Sequence, residues 1–239
     1  MLKVLDVASY IQSSGMQLRG WDHIHLDDCW GMRDNVTHAI VADPARFPAG
    51  MPSLVSKLHA LGFKLGLYTD VGPLGCHHPF VGSYGHYQQD ADTFAQWAVD
   101  FVKLDGCWRP GDVPAEPNGT TLKELSCNFS NALNQTGKEI WLNYHCWHDA
   151  ECAACGNSFR EYNDHQDRWE STELIINSLK VRQPFWGAAP TYGWPDPDFI
   201  YTGGQGCNSS DPGPNHGNPG PVCLKSDGNP SYRESARGH

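Results

Sequence analysis

The chain has 239 residues, 39% of them hydrophobic, and a formal net charge of −10. It is long enough to bury a sizeable core as one domain. With no Lys/Arg run, the charge argues against nucleic acid or an anionic membrane as partner, and no apolar stretch approaches the roughly 20 residues of a membrane span. Met1 opens directly on a helix-like segment without a secretory signal. Five Asn-x-Ser/Thr sequons, starting at Asn35, Asn118, Asn128, Asn134 and Asn208, nevertheless accompany nine cysteines. Their density favours an oxidising, secretory-type compartment, so a secreted or lysosomal/vacuolar protein is expected. An odd cysteine count without a signal suggests that part of the protein is missing.

In chain order, Val4, Val7, Ala8 and Ile11 share one helical face, and the helix stops near Gly15. His23 to Trp30 reads as a strand ending in the carboxylates Asp27 and Asp28. Met51, Leu54, Val55, Leu58 and Leu61 mark a second helix with Gly62 as its stop. Phe63 to Asp70 is the next strand, again ending in an acid. Ala91, Phe94, Ala95 and Ala98 mark a third helix, which delivers the chain to the strand Phe101–Asp105. A fourth helix carries Leu122, Leu125, Phe129 and Leu133. The strand after it alternates Trp141, Asn143 and His145 with Ile140, Leu142, Tyr144 and Cys146. A short strand is expected over Phe159–Asp164, a helix over Glu173–Leu179 and an acid-bearing strand over Trp194–Ile200. From Tyr201 the composition turns to Gly, Pro, Asn and Ser, which reads as a long loop.

Alternating strands and helices imply βαβ units and a parallel sheet. The strand-end markers Asp28, Asp70, Asp105, Cys146, Asp164 and Asp198 lie 42, 35, 41, 18 and 34 residues apart. Polar groups at successive strand ends suit a (β/α)₈ TIM barrel, whose sites form at the C-terminal face, better than a doubly wound sheet. About six strands are counted where a barrel has eight. An incomplete barrel is therefore expected, lacking its first and last strands, with residues 1–205 as the catalytic part and 206–239 as a Gly/Pro-rich loop. Lys103 and Asp105, two apart on one strand, point to one face. Alone they read as a salt-bridged pair closing a strand; the carboxylates ending other strands favour a site.

Several strings resemble glycoside hydrolase family 27, the α-galactosidase (melibiase) and α-N-acetylgalactosaminidase family. They include His25-Leu26-Asp27-Asp28-Cys29-Trp30, Arg46-Phe47-Pro48, Leu65-Gly66-Leu67-Tyr68-Thr69-Asp70-Val71-Gly72 and Gly82-Ser83-Tyr84-Gly85. Asp90 to Trp97, Val102-Lys103-Leu104-Asp105-Gly106-Cys107 and Asp196-Pro197-Asp198 complete the series. The resemblance implies a retaining exo-glycosidase acting on terminal α-galactosyl or related α-linked residues. Its fold would be a (β/α)₈ barrel followed by a C-terminal β-sandwich that is absent from this sequence. It places Asp105 as nucleophile, Asp164 as acid/base, and Asp27, Asp28, Tyr68, Lys103, Arg160 and Asp198 as sugar contacts, with no cofactor or metal. It also implies a Cys76–Cys107 bridge and puts the partner of Cys29 upstream of Met1. Cys207 with Cys223 would close the terminal loop.

The chemistry stands beside the resemblance. Cleavage with retention needs one carboxylate to attack the anomeric carbon and another to protonate the leaving oxygen, about 5–5.5 Å apart. Lys103 would keep Asp105 charged, while Asp164 has to carry a proton. Asp27 and Asp28 would both reach one sugar if their strand ends there. Two departures stand out. The family has Cys-Glu-Trp where this chain has Cys146-Trp147-His148, with Glu151 displaced, and the family's tryptophan-bearing first strand is missing.

Other readings are weighed alongside. His145, His148, Cys152 and Cys155 are zinc-type ligands, but their spacing is tight and disulfides are favoured over metal. Asp34 and Asp70 are expected as turn ligands, and His77-His78 as a solvated pair. Trp30 and Trp194 are expected as sugar-stacking surfaces, and Trp97 as core. Besides the hydrolase, an inactive, lectin-like sugar-binding relative and a truncated product without activity remain open.

Overall fold

The structure, a computed structural model, describes residues 2–76, 80–107, 121–145, 155–160, 162–165, 169–182 and 193–198. The elements are α1 (Leu2–Ser13), a 3₁₀ turn (Gln17–Arg19), β1 (His23–His25), β2 (Gly31–Arg33), β3 (Ile40–Ala42), α2 (Gly50–Ala60) and β4 (Lys64–Asp70). They continue with α3 (Tyr87–Gln96), β5 (Phe101–Asp105), α4 (Leu122–Gln135), β6 (Trp141–His145), β7 (Ser158–Arg160), α5 (Trp169–Arg182) and β8 (Trp194–Asp196).

Six strands form one parallel sheet in the order β1-β4-β5-β6-β7-β8. The sheet is curled: His23 and His25 of β1 line the same cavity as Pro195 and Asp196 of β8. This is an incomplete (β/α)₈ barrel. Among the described residues, the outer edges of β1 and β8 pair with no strand and no β-sandwich is found.

The pleat sorts the two faces by polarity. Leu65, Leu67, Val102, Leu104, Leu142, Tyr144 and Phe159 belong to the buried core. Helices cover that side at helical spacing, with Met51, Leu54, Val55 and Leu58 from α2, Ala91 and Phe94 from α3, and Leu125, Phe129, Ala132 and Leu133 from α4. The alternate positions of β5 to β8, Phe101, Lys103, Trp141, Asn143, Ser158, Arg160 and Asp196, line the concave cavity. Thr121 and Glu124 start α4 with a reciprocal capping box, which satisfies backbone donors that a helix end otherwise leaves unpaired.

Some expectations need correction. The first strand stops at His25, and β2 and β3 follow as an antiparallel pair that the hydrophobic pattern did not reveal. Trp30 is core rather than a sugar platform: it is 3% exposed, packs on Phe94 and Trp97, and donates its indole N–H to the Tyr68 carbonyl at 2.8 Å. Trp194 is exposed but begins β8, pairing with Ser158 at the start of β7, so it stands at the opposite rim from the strand ends. Val7 points to solvent while Ala8 is buried. Trp97 packs against the core as expected. The chain from Tyr201 onward and the His77-His78 pair lie outside the described residues.

The segment after β4 folds back on itself. Gly75 donates to Phe80 O (2.9 Å), Gly82 to Pro73 O (3.1 Å) and Tyr84 to Gly72 O (3.0 Å). A Cβ on Gly82 would sit 2.1 Å from the Gly72 carbonyl oxygen, a backbone atom that cannot swing aside. Gly82→Ala is therefore expected to cost about 2 kcal/mol, as overpacking does, and to lower Tm by roughly 4–8 °C. A thermal melt unchanged from wild type would contradict this packing.

Candidate active site

Parallel register sets the site. Pairing of β4 with β5 places Tyr68 beside Lys103 and Asp70 beside Asp105. The Lys103 ammonium donates to Asp27 Oδ2 at 2.7 Å, lies 3.8 Å from Asp105 Oδ2, and sits 5.1 Å from the centre of the Tyr68 ring. Burial works against its charge, but the Asp105 and Asp27 carboxylates outweigh burial and raise its pKa. Asp105 is 8% exposed. Burial would push its carboxyl up; the hydrogen bond from His145 Nδ1 (2.8 Å), the Lys103 charge and the Gly106 amide (2.9 Å) together hold it well below the usual carboxylate range. It is an ionised group in a buried place.

Tyr68 is buried in the core with its ring against the Lys103 ammonium. Burial, reinforced by the nearby Asp105, Asp70 and Asp28, pushes its hydroxyl up so that it stays a neutral phenol. The hydroxyl lies 3.0 Å from the Cys76 sulfur and accepts from the Cys76 amide at 3.3 Å. Cys76 is bridged to Cys107 with Cα atoms 5.2 Å apart, as the resemblance implied. Asp70 fastens both loops that carry this bridge, accepting from Gly72 N (2.7 Å) and Cys107 N (2.8 Å). It is a turn ligand, as expected, and burial pushes its pKa up to about 8 against the pull of those two amides. Asp34 likewise accepts from the Val36 and Thr37 amides.

Asp27 and Asp28 lie beyond the end of β1, where the chain is free to turn. Asp27 Oδ1 accepts from the Asp28 amide (2.8 Å) and Asp28 Oδ1 from the Cys29 amide (2.6 Å). Asp27 reaches the cavity. Asp28 tucks against Gly75, where a Cβ would lie 2.8 Å from its Oδ2. A second charged group stands at the end of β7. Arg160 pairs through Nη1 with Asp198 Oδ1 and through Nη2 with Asp164 Oδ1, both at 3.0 Å. Burial disfavours its charge, but Asp198 and Asp164 raise its pKa. The Asp198 side chain is 3% exposed and accepts from the His165 amide, whereas the Asp164 side chain is 67% exposed.

The structure thus gathers Asp27, Tyr68, Lys103 and Asp105 in one cluster and Arg160, Asp164 and Asp198 in another. Asp27, Lys103, Arg160 and Asp198 line a single cavity of about 1240 Å³. One strand, β6, separates β5 from β7, so their backbones lie about 10 Å apart, a gap that opposed side chains and one sugar ring can fill.

His145 is the contact that sequence reasoning missed. As a residue type it suits a zinc set, while its alternation with Asn143 and Trp141 puts it on the inner face. Cys155 bonds to Cys127 (Cα atoms 4.8 Å apart), which removes it from the zinc set and gives Cys127 a partner the sequence did not suggest. Cys146, Trp147, His148, Glu151, Cys152, Cys207 and Cys223 lie outside the described residues, and among the described residues Cys29 has no disulfide partner. Asp70, Cys76, Asp105 and Cys107 gather closely enough for a metal, but both sulfurs are committed to the disulfide.

A parallel barrel-type sheet with acids at its C-terminal strand ends is the architecture of a barrel enzyme. The family described as alpha galactosidase A, a melibiase family, matches residues 3–212, and the chain belongs to it. It is 34% identical to alpha-galactosidase 2 of Arabidopsis thaliana over 209 residues, which is 85% of this chain and 50% of the plant protein. It is 33% identical to the alpha-N-acetylgalactosaminidase of Gallus gallus over 219 residues (84% of this chain, 51% of that protein). The fold superposes on alpha-galactosidase I from Mortierella vinacea with a TM-score of 0.74 at 28% identity, covering 88% of this chain and 57% of the other. The Saccharomyces cerevisiae alpha-galactosidase with raffinose gives 0.71 at 26% identity, covering 87% and 50%. The chain spans about half the length of the curated relatives it matches.

Asp70 gives the fold a signed pH dependence. Its folded pKa of about 8 exceeds the ordinary value of 3.8, so between the two the folded chain holds a proton the unfolded chain has lost, and stability falls as pH rises. His25, lowered by partial desolvation of its ring against Phe101, acts in the opposite direction below pH 6.5. Between about pH 6.5 and 8, Tm is therefore expected to decline in the wild type and to decline less steeply in Asp70→Asn. Equal slopes in the two melting series would contradict the assignment.

Proposed function

We propose that this protein is a retaining exo-glycosidase that hydrolyses terminal α-galactosyl, or related α-linked, residues of an oligosaccharide or glycoconjugate. The observation that carries the reading is the buried, ionised Asp105 at the end of β5, next to the Lys103–Asp27 pair, whose two residues line the cavity. Asp105 attacks the anomeric carbon while the Asp164 carboxyl gives its proton to the glycosidic oxygen; the C–O bond breaks and the aglycone leaves as an alcohol. A glycosyl ester then links the sugar to Asp105. Water, losing its proton to the Asp164 carboxylate, attacks the same carbon and frees Asp105 and the sugar with its original configuration. Asp27, Asp28, Lys103, Arg160 and Asp198 bind the ring hydroxyls, and Tyr68 supplies a wall and a neutral hydroxyl. The chemistry calls on no cofactor and no metal. Residues 1–205 are the catalytic part, 206–239 a stretch of Gly/Pro-rich sequence after it, and the sequons with the disulfides fit a secreted or lysosomal/vacuolar setting.

One observation favours a second reading, a sugar-binding protein without turnover: Asp164 is solvent-exposed and paired with Arg160, not desolvated as a proton donor requires. Kinetics on p-nitrophenyl α-galactoside separate the two. Hydrolysis is expected in the wild type, with kcat falling by about 10³-fold or more in Asp105→Asn, as for loss of a nucleophile. Asp164→Asn is expected to lose less on this activated aryl substrate than on raffinose, whose leaving group needs the proton. Binding of galactose without hydrolysis in the wild type would support the second reading, and full activity in Asp105→Asn would remove the nucleophile assignment.

A further inference from the structure

His145 ends β6, the strand paired with β5, and its side chain projects from the same face as Asp105. Both side chains are 11% exposed. The two oxygens of Asp105 have unequal surroundings. Oδ1 accepts from His145 Nδ1 at 2.8 Å and from the Gly106 amide at 2.9 Å. Oδ2 faces the Lys103 ammonium at 3.8 Å and the bridged Cys76 sulfur, which carries no hydrogen to donate, at 3.3 Å. Oδ1 is thus held by two short, directed bonds, and Oδ2 keeps its lone pairs open on the side of Lys103.

We propose that His145 is a positioning residue that fixes the plane of the Asp105 carboxylate, occupies Oδ1, and so assigns Oδ2 as the oxygen that bonds to the anomeric carbon. This rests on the nucleophile reading of Asp105. The backbone donor of Gly106 fixes one direction at Oδ1, and the imidazole, coming from a neighbouring strand, fixes the second, so the carboxylate cannot rotate about its Cβ–Cγ bond without losing both. The same Nδ1–H bond stabilises the anion in a place where burial opposes it. The titratable and charged groups around the pair are Lys103 on β5, Asp70 on β4, Asp27 after β1 and Arg160 on β7. Of these, Lys103 is the other group that favours the anion, at 3.8 Å rather than in hydrogen-bond contact.

Three substitutions separate positioning from bulk. Asparagine places its amide N–H close to where Nδ1 stands, glutamine places it nearer Nε2, and leucine fills the space without a donor. On p-nitrophenyl α-galactoside, H145L and H145Q are expected to lose about ten- to a hundredfold in kcat, the worth of one hydrogen bond to a charged group, with KM changed little. H145N is expected to recover most of that loss. An acid limb is expected in the kcat/KM profile of H145L at least about one pH unit above any that the wild type shows, and not in H145N. A second readout needs no turnover: in ¹³C spectra the Asp105 carboxyl is expected to keep its ionised shift throughout the folded pH range of the wild type and H145N, and to begin titrating within it in H145L. Wild-type kcat and an unmoved acid limb in H145L would overturn the proposal. So would an unchanged Asp105 titration in H145L, whether or not the wild type hydrolyses the substrate. An inactive wild type whose Asp105 titration still depends on position 145 would uphold the His145 contact and reject the hydrolase reading instead.

Discussion

A buried negative charge on Asp105 is the constraint to which this site is fitted. A carboxylate removed from water takes up a proton unless donors and cations offset the lost hydration. Here three separate elements do so: Lys103 from the same strand, His145 from the next, and the Gly106 amide from the turn that follows. Lys103 is itself partly buried and needs a second anion, which Asp27 supplies from beyond β1. The need for charge balance therefore ties β1, β5 and β6 together at one rim of the sheet.

The loops above the rim are held by a different set of contacts. Asp70 sits beside Asp105 in register yet has the opposite fate, because its nearest donors are neutral amides and its neighbours include Asp105 and Asp28. With no cation against it among the described residues, burial wins and the carboxyl stays protonated to about pH 8. Two aspartates in adjacent register positions are thus driven apart in pKa by their surroundings, the general means by which one site holds an ionised and a neutral acid together. The neutral one anchors Gly72 and Cys107, and the disulfide then braces the loop that follows Asp105.

Much of this was legible in the sequence because a parallel sheet covered on one face writes a simple pattern. Leu65, Leu67, Val102 and Leu104 repeat every second residue and α2 repeats at helical spacing, so strand and helix order followed from periodicity. Acids at strand ends pointed to the fold class and to most residues of the candidate site. What was not legible depended on partners distant in sequence. Trp30 follows two acids and looks like a platform, but its indole N–H finds the Tyr68 carbonyl 38 residues away and its ring joins the core. The short β2–β3 pair carries too few residues for an alternation to stand out. The Cys127–Cys155 bridge and the contact of His145 with Asp105 both join elements brought side by side by the sheet; alternation puts His145 on the inner face, but spacing along the chain names neither Asp105 nor Cys155 as a partner.

The most direct measurement is covalent trapping with a 2-deoxy-2-fluoro α-galactosyl donor bearing an activated leaving group, followed by peptide mapping. The fluorine slows both steps, and the activated leaving group lets the first outrun the second. The account predicts one glycosyl unit, carried on Asp105 in the peptide containing Phe101–Cys107. A label on Asp164 or any other residue, or a protein that turns over α-galactosides while releasing the inverted anomer, would contradict it.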